Sequence, residues 1–161
     1  YKKNKRDPQI LMGRAVALQH LGLTEEAIAA YEELLDLRPN NMEAQTKMLG
    51  RLSEQFPAVA LRKLKDLRTN HPDNVGLVAQ MAITEARIGN FDSAMRYMGV
   101  AASMEPNNAN HYFNMGIIAD QAGATREAVK YYELALETDT IHGGGRTIPR
   151  DQVYTRLAQI R

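Results

Sequence analysis

The chain has 161 residues, of which 44% are hydrophobic and 24% are charged, a composition that fits one globular domain. It contains no cysteine, which excludes disulfide bonds and thiolate metal sites. None of its apolar runs reaches the length that a membrane-spanning helix needs.

The formal net charge of +1 conceals an uneven distribution of charge along the chain. Residues 1–7 hold four basic side chains and one aspartate, residues 146–161 hold four arginines and one aspartate, and the segment between them is acidic. We therefore expect no nucleic-acid partner. Residues 1–7 are predicted to be a basic tail or linker. Such clusters also flank membrane helices, and an anchor upstream of Tyr1 would place the protein at a membrane or in the periplasm rather than in the cytoplasm.

Turn signals divide most of the chain into eight predicted helices. Pro39, Pro72 and Pro106 each precede asparagine or aspartate, and proline forces the residue before it out of helical geometry. An asparagine in such a turn can cap the following helix. Thr24 and Thr125, each two residues after a glycine, are candidate N-caps of two other helices. With apolar residues at helical spacing between the turns, the predicted helices are 8–20, 24–38, 41–55, 57–70, 75–88, 91–104, 108–122 and 125–138.

The turns and the small residues recur with a common period. Pro39, Pro72 and Pro106 lie 33 and 34 residues apart. Small residues also stand twelve positions apart, one on each helix of a pair, where they would let the two backbones approach to about 8–10 Å. These small residues are Ala15 with Ala27, Ala82 with Ala94, and Gly116 with Ala128.

This pattern resembles the tetratricopeptide repeat, a helix-turn-helix unit of 34 residues. In the first copy the family's large apolar, small, aromatic and closing positions are Leu11, Ala15, Ala27, Tyr31 and Pro39, whereas the second copy is the poorest match. The resemblance implies an all-α fold, a right-handed superhelical solenoid of about four antiparallel helix pairs. The array would cover residues 8–140, with repeats at about 8–40, 41–74, 75–108 and 109–140.

Residues 141–147 form a predicted glycine-rich linker, and residues 148–161 hold a predicted ninth helix. Val153, Tyr154, Leu157 and Ile160 share one face of that helix. Since the last pair of a repeat array exposes an apolar face, we interpret the ninth helix as a cap. The alternative is an arm that the glycines release to bind a partner.

No motif for catalysis is present. The segment His142–Gly145 is similar to the oxyanion strand of some lipases, but the chain has no nucleophile elbow of the Gly-x-Ser-x-Gly type. The four histidines form no ligand pair at helical spacing. We therefore expect no catalytic residue, no metal and no cofactor, and a protein that is not an enzyme.

The family resemblance implies that the first helix of each pair lines a groove that binds an extended peptide or a helix of a partner protein. The groove residues that it implies are Gln9, Met12, Val16, Gln45, Leu49, Ala79, Ile83, Phe113, Asn114, Ile117 and Asp120. Several of them are apolar, as expected of a contact site, although they could instead pack between adjacent pairs.

The sequence thus favours a protein-interaction module or scaffold, active in the assembly or localisation of a larger complex. Two alternatives stay open at this point. One is a structural domain that associates with copies of itself, and the other is a regulatory domain of a longer protein.

Overall fold

The computed structural model describes residues 8–36 and 42–161, and within these residues the chain is all α-helical, as predicted. The basic tail 1–7 and the first proline turn at Pro39 lie outside the described residues. The helices are α1 (Pro8–His20), α2 (Thr24–Asp36), α3 (Met42–Gln55), α4 (Pro57–Asn70), α5 (Val75–Ile88), α6 (Phe91–Met104), α7 (Ala109–Gln121), α8 (Thr125–His142) and α9 (Arg150–Ile160). Among the described residues, no helix has both the length and the apolar character required to cross a bilayer.

Asparagine side chains in the turns cap two of the helices. The Asn74 side chain accepts a hydrogen bond from the Leu77 N–H (3.1 Å), and the Asn108 side chain accepts one from the Asn110 N–H (3.0 Å), so the predicted asparagine caps are confirmed. The prediction that Thr24 and Thr125 are N-caps is wrong. Helix α2 already includes Thr24 and helix α8 already includes Thr125, and no side-chain hydrogen bond caps α8.

The described chain divides into two compact units, one ending at Ala60 and the other beginning at Leu61. In the first unit α1 packs against α2, and α2 against α3. Ala15 and Ala27 are completely buried, and the Tyr31 hydroxyl donates a hydrogen bond to Gln19 Oε1 (2.8 Å). A small core cluster in this unit comprises Leu11, Leu34 and Met48.

In the second unit each helix from α5 to α9 packs against the next one in the chain. Two core clusters hold these helices together by burying apolar surface. The first cluster, between α5, α6 and α7, includes Val78, Ala82, Ala94, Met98 and Ile118. The second cluster, between α7, α8 and α9, includes Ala119, Ala128, Tyr132, Val153 and Leu157.

Helix α9 packs on α8, with Val153 and Leu157 almost completely buried. Tyr154, which we expected on the same buried face, is 51% exposed instead. Its hydroxyl accepts a hydrogen bond from Arg150 Nη2 (2.9 Å), so it lies towards the solvent side of the helix.

Helix α8 continues four residues beyond its predicted end at residue 138, because Asp139 organises the connection to α9. The Asp139 carboxylate is fully buried and accepts hydrogen bonds from the Thr147 N–H (2.7 Å) and from Arg150 Nη1 (2.6 Å). Burial alone would raise the pKa of Asp139, but the hydrogen bonds from Thr147 and Arg150 outweigh it and lower that pKa.

The backbone N–H groups of Gly143 and Gly145 donate to the Asp139 carbonyl. This glycine-rich segment is therefore anchored at several points, which opposes the alternative of a released arm.

Helices α7 and α8 approach each other very closely at Gly116. A Cβ atom at this position would lie 2.6 Å from Cδ1 and 2.7 Å from Cε1 of the Tyr132 ring. The ring cannot move aside easily, because its hydroxyl is bonded to Asp120 and its face packs near Phe113. Gly116 therefore sets the spacing of α7 and α8.

We predict that Gly116→Ala destabilises the protein by about 1–3 kcal/mol, because overpacking outweighs the gain in helix propensity. The matched control is Gly99→Ala on α6, where a new Cβ would lie 4.0 Å from Met115 Cε, an ordinary contact. That control should be neutral or more stable by up to about 1 kcal/mol. Urea unfolding followed by far-ultraviolet circular dichroism measures both variants, and equal effects of the two would show that Gly116 has no special packing role.

Candidate functional site

Two adjoining clefts open in the second unit. The larger, of about 670 Å³, lies between α7 and α9 and is lined by residues that include Phe113, Ile117, Asp120, Val153 and Arg156. The smaller, of about 390 Å³, lies against α5, α6 and α7. Its lining residues are Ile83, Ala86, Arg87, Phe91, Asn114, Ile117, Ile118 and Gln121. Because the two clefts share Ile117 and Gln121, we treat them as one surface and call it the α5–α7–α9 groove.

The floor of the α5–α7–α9 groove is apolar and rests on the core. Ile83 packs against the core cluster of α5 to α7, and Phe113 and Ile117 pack against the cluster of α7 to α9. The Phe113 ring lies 6.2 Å from the Tyr132 ring at an angle of 44°, a tilted arrangement that is favourable for aromatic pairs. The three floor side chains are only partly buried, so each offers apolar surface while its base is fixed.

Amide side chains from two helices line this floor, alongside charged ones. Asn114 and Gln121 line it from α7, and Gln152 and Gln159 line it from α9. Amides both donate and accept hydrogen bonds and carry no charge, so they can bind the backbone of a peptide in either orientation.

Asp120, which the family resemblance assigns to partner binding, holds α9 in place. Arg156 donates from Nε to Asp120 Oδ2 (2.6 Å) and from Nη2 to Asp120 Oδ1 (2.7 Å), a bidentate ion pair. The Tyr132 hydroxyl also donates to Asp120 Oδ2 (3.1 Å). The hydrogen bonds from Arg156 hold the pKa of Asp120 below its usual range. Burial and the neighbouring Asp120 charge raise the pKa of Tyr132 to about 12, so this hydroxyl keeps its proton and remains a donor.

The other predicted groove residues differ in their accessibility. Ile83, Phe113, Asn114 and Ile117 all line the α5–α7–α9 groove, whereas Ala79 lines neither cleft and packs against the core of α5 to α7.

In the first unit Gln9 is exposed, while Met12 and Val16 are partly buried, Met12 against the Leu11 cluster. Gln45 is only 4% exposed and Leu49 is completely buried. These last two side chains therefore lie in the interior and present almost no surface to a partner.

Residues of α9 also line the groove, which the family resemblance did not imply. Gln152, Arg156 and Gln159 line the larger cleft, whereas α9 was predicted to cap the array or, alternatively, to be a released arm that binds a partner. The order of the helices does indicate that α9 could line the groove. Helix α9 follows the complete pair of α7 and α8, so it occupies the place of the first helix of a further pair. The extended α8 and the loop 143–149 shift α9 out of the 34-residue period and obscure this equivalence.

Comparison with known proteins identifies the repeat. Two models of the family described as "Tetratricopeptide repeat" match residues 8–41 and 80–140, which together are more than half of the chain. Cellulose synthase operon protein C of Komagataeibacter xylinus is 28% identical over 114 residues, which are 70% of this chain. The protein of the same name from Komagataeibacter sucrofermentans is 27% identical over 114 residues. The chain spans only 9% of the length of these curated relatives.

Solved structures show the same fold. A thermophilic tetratricopeptide repeat protein from Thermus thermophilus superposes with a TM-score of 0.65 at 23% identity, over 99% of this chain and 84% of that one. MamA from Desulfovibrio magneticus RS-1 superposes with a TM-score of 0.60 at 18% identity, over 85% of this chain and 78% of that one. At such identities the likeness concerns the fold alone.

The Asp120–Arg156 ion pair gives a prediction about pH. A carboxyl group whose pKa is lowered by folding stabilises the folded state above its unfolded pKa, and this stabilisation is lost as the pH falls through the folded pKa. Asp120→Asn should therefore lower the free energy of unfolding at pH 7, and the difference from the parent protein should shrink below about pH 4.

A double-mutant cycle with Asp120→Asn and Arg156→Gln separates the interaction energy of the two side chains from the effects of each substitution on its other neighbours. Because Arg156 is 43% exposed, we expect only a small coupling energy at pH 7, decreasing in acid. Urea unfolding of the parent protein and the three variants measures this coupling energy. The measurement is made at about pH 7 and about pH 3, which lie on either side of the usual carboxyl pKa. A coupling energy that is zero at neutral pH, or that does not change with pH, would contradict a stabilising role of the pair.

Proposed function

The chain belongs to the tetratricopeptide repeat family, and on that premise we propose that it is a protein-interaction module that binds a segment of a partner protein in the α5–α7–α9 groove. The observation that carries this proposal is the strip of apolar side chains at Ile83, Phe113 and Ile117. Each is anchored in the core yet lines an open cleft. Apolar surface that is held in a cleft and edged by polar groups is typical of a binding site.

The shape and chemistry of the groove favour a short apolar segment or an amphipathic helix as the ligand. A helix presents apolar side chains at intervals of three or four residues, which suits an apolar floor made by neighbouring helices. The amide side chains at the edge of the groove can bind polar groups of the ligand without selecting for charge. A ligand that contributes two or three apolar anchors would account for both features.

We further propose that this binding serves the assembly or localisation of a larger complex. Two relatives are named for the cellulose synthase operon, and that name supports a role among cooperating proteins. Because the chain spans 9% of their length, it corresponds to one interaction segment within proteins of that size.

The groove proposal is tested by Ile83→Glu, which places a charge on the apolar floor. The matched control is Ile88→Glu on the same helix, since Ile88 is 38% exposed and lines neither cleft. The assay is affinity capture from the lysate of the source organism, with captured proteins identified by mass spectrometry. We expect Ile83→Glu to lose a partner that the parent protein and Ile88→Glu both retain.

Because Ile83 also packs against the core, Ile83→Glu could lose the partner by unfolding the protein. A second pair of variants separates loss of binding from loss of folding. Asn114→Lys fills the smaller cleft without removing an apolar contact, and Asn110→Lys makes the same change at an exposed position of the same helix. Loss of the partner in Asn114→Lys but not in Asn110→Lys supports the proposal. Equal capture by all four variants would overturn it.

The same preparations distinguish partner binding from self-association. The molar mass of the parent protein, measured by light scattering at several concentrations, should be that of a monomer. A mass that rises with concentration, and that Ile83→Glu reduces, would assign the groove to a second copy of the chain.

A further inference from the structure

Tyr97 is flanked by two arginine side chains from different parts of the chain. The Arg68 guanidinium, on α4, lies 5.4 Å from the centre of the Tyr97 ring, and the Arg96 guanidinium, on α6, lies 5.7 Å from it. The ring itself is partly buried and packs against the core cluster of α5 to α7. Two cations are therefore held against one fixed aromatic ring on the surface of the second unit.

Neither arginine is neutralised by a carboxylate of the described residues. Within 8–36 and 42–161, no ion pair involves Arg68 or Arg96, and the polar contact of Arg96 is with Ser93 Oγ (3.3 Å). The exposed side chains of Arg62 and Lys65 on α4 also form no ion pair within this part of the chain.

These cations concentrate positive charge in one part of a repeat region that is acidic as a whole. Helices α4 and α6 together carry five basic side chains and two acidic ones, Asp66 and Asp92. Repulsion between neighbouring cations costs free energy in the unbound protein and is relieved when an anion binds between them.

The cation–π contacts with the ring prepare the two guanidinium groups for binding. An arginine that lies over an aromatic ring loses part of its rotational freedom, so less entropy is lost when a ligand binds. Its N–H groups point outward from the edge of the guanidinium plane and can donate two parallel hydrogen bonds to one carboxylate. Because these arginines have no carboxylate partner among the residues that the structure describes, that capacity is available to another molecule.

We propose that Arg68, Arg96 and Tyr97, together with Arg62 and Lys65, form a docking surface for an acidic segment of a partner protein, rich in aspartate or glutamate. We call it the arginine–tyrosine surface. None of its five residues lines the α5–α7–α9 groove, so it is a separate site from the one proposed above.

The two acidic side chains on the same helices favour a peptide over other anionic partners. Asp66 and Asp92 are both exposed, and each would repel a continuous anionic surface such as a lipid bilayer or a nucleic-acid duplex. The carboxylates of a flexible peptide can be placed against the arginines and away from these two aspartates. The charge pattern is thus complementary to separate carboxylates rather than to a uniform negative surface.

The test measures binding of a fluorescein-labelled peptide in which glutamate and serine alternate, with a peptide of glutamine and serine as the uncharged control. Fluorescence anisotropy at low and at near-physiological salt gives the dissociation constant for each protein. For Arg68→Gln combined with Arg96→Gln we expect binding to weaken about tenfold or more, because two charge-assisted contacts are removed. Tyr97→Leu keeps apolar volume but removes the ring, and should weaken binding about threefold.

The matched control combines Arg126→Gln with Lys130→Gln on α8. It removes the same number of positive charges, both side chains are exposed, and Lys130 also lies over a tyrosine, 5.3 Å from the Tyr131 ring centre. We expect this control to weaken binding less than about twofold. Ile83→Glu should bind the acidic peptide as the parent protein does, so failure of the groove proposal would not affect this result. Circular dichroism confirms that each variant is folded.

Three outcomes would overturn the proposal. The first is no binding of the acidic peptide at low salt, and the second is equal weakening in the two double variants, which would show general attraction between charges. The third is tighter binding to vesicles of phosphatidylserine and phosphatidylcholine than to the peptide, lost in Arg68→Gln with Arg96→Gln. That result would assign the arginine–tyrosine surface to a membrane.

Discussion

The close approach of the paired helices α1 with α2, α5 with α6 and α7 with α8 is the constraint on which the rest of the structure depends. Small side chains at facing positions are completely buried between α1 and α2 and between α5 and α6, and between α7 and α8 the Tyr132 ring would lie only 2.6 Å from a Cβ of Gly116. Where the paired helices are this close, a large side chain of one helix can face its partner only opposite a small residue, as Tyr132 does opposite Gly116. Ile83 and Ile117, on the first helices of their pairs, are only partly buried and line the groove.

The fixed position of α9 is the second condition for the groove. Two buried or partly buried aspartates secure it, since Asp139 bonds to the loop and to Arg150, and Asp120 bonds to Arg156. Each carboxylate is compensated by charge-assisted hydrogen bonds, without which its burial would be costly. A helix that was not fixed in this way could not form one wall of a cleft. The ion pairs thus hold α9 where it lines the proposed groove.

The helices could be predicted from the residues close to each helix end. Contacts between residues that are far apart in the sequence could not be predicted in this way. Asparagine caps and the glycine turns act within four or five residues, so the pattern of residues sufficed to place most helix ends. Ile83, Phe113, Asn114 and Ile117, which the register of the repeats predicts for a groove, all line one or both of the two clefts. By contrast, the partner of Asp120 is 36 residues away, and nothing in the register marks Arg156 as that partner. The burial of Leu49 also depends on neighbouring helices, which its place in the repeat does not specify.

The two proposed surfaces divide between the two kinds of helix in the repeat. The first helices α5 and α7 supply the apolar floor, where binding would be driven by removal of apolar surface from water and would depend little on salt. The second helices α4 and α6 carry Arg68 and Arg96 beside the Tyr97 ring, and the attraction of these arginines for an anion is long-ranged but screened by salt. An acidic segment would therefore be drawn to the protein before its apolar neighbour reaches the groove, and the groove would then determine how slowly it leaves. A partner in which an acidic stretch adjoins an apolar helix combines both kinds of contact, and it would bind more tightly than either segment alone when the linker between them spans the distance between the two surfaces.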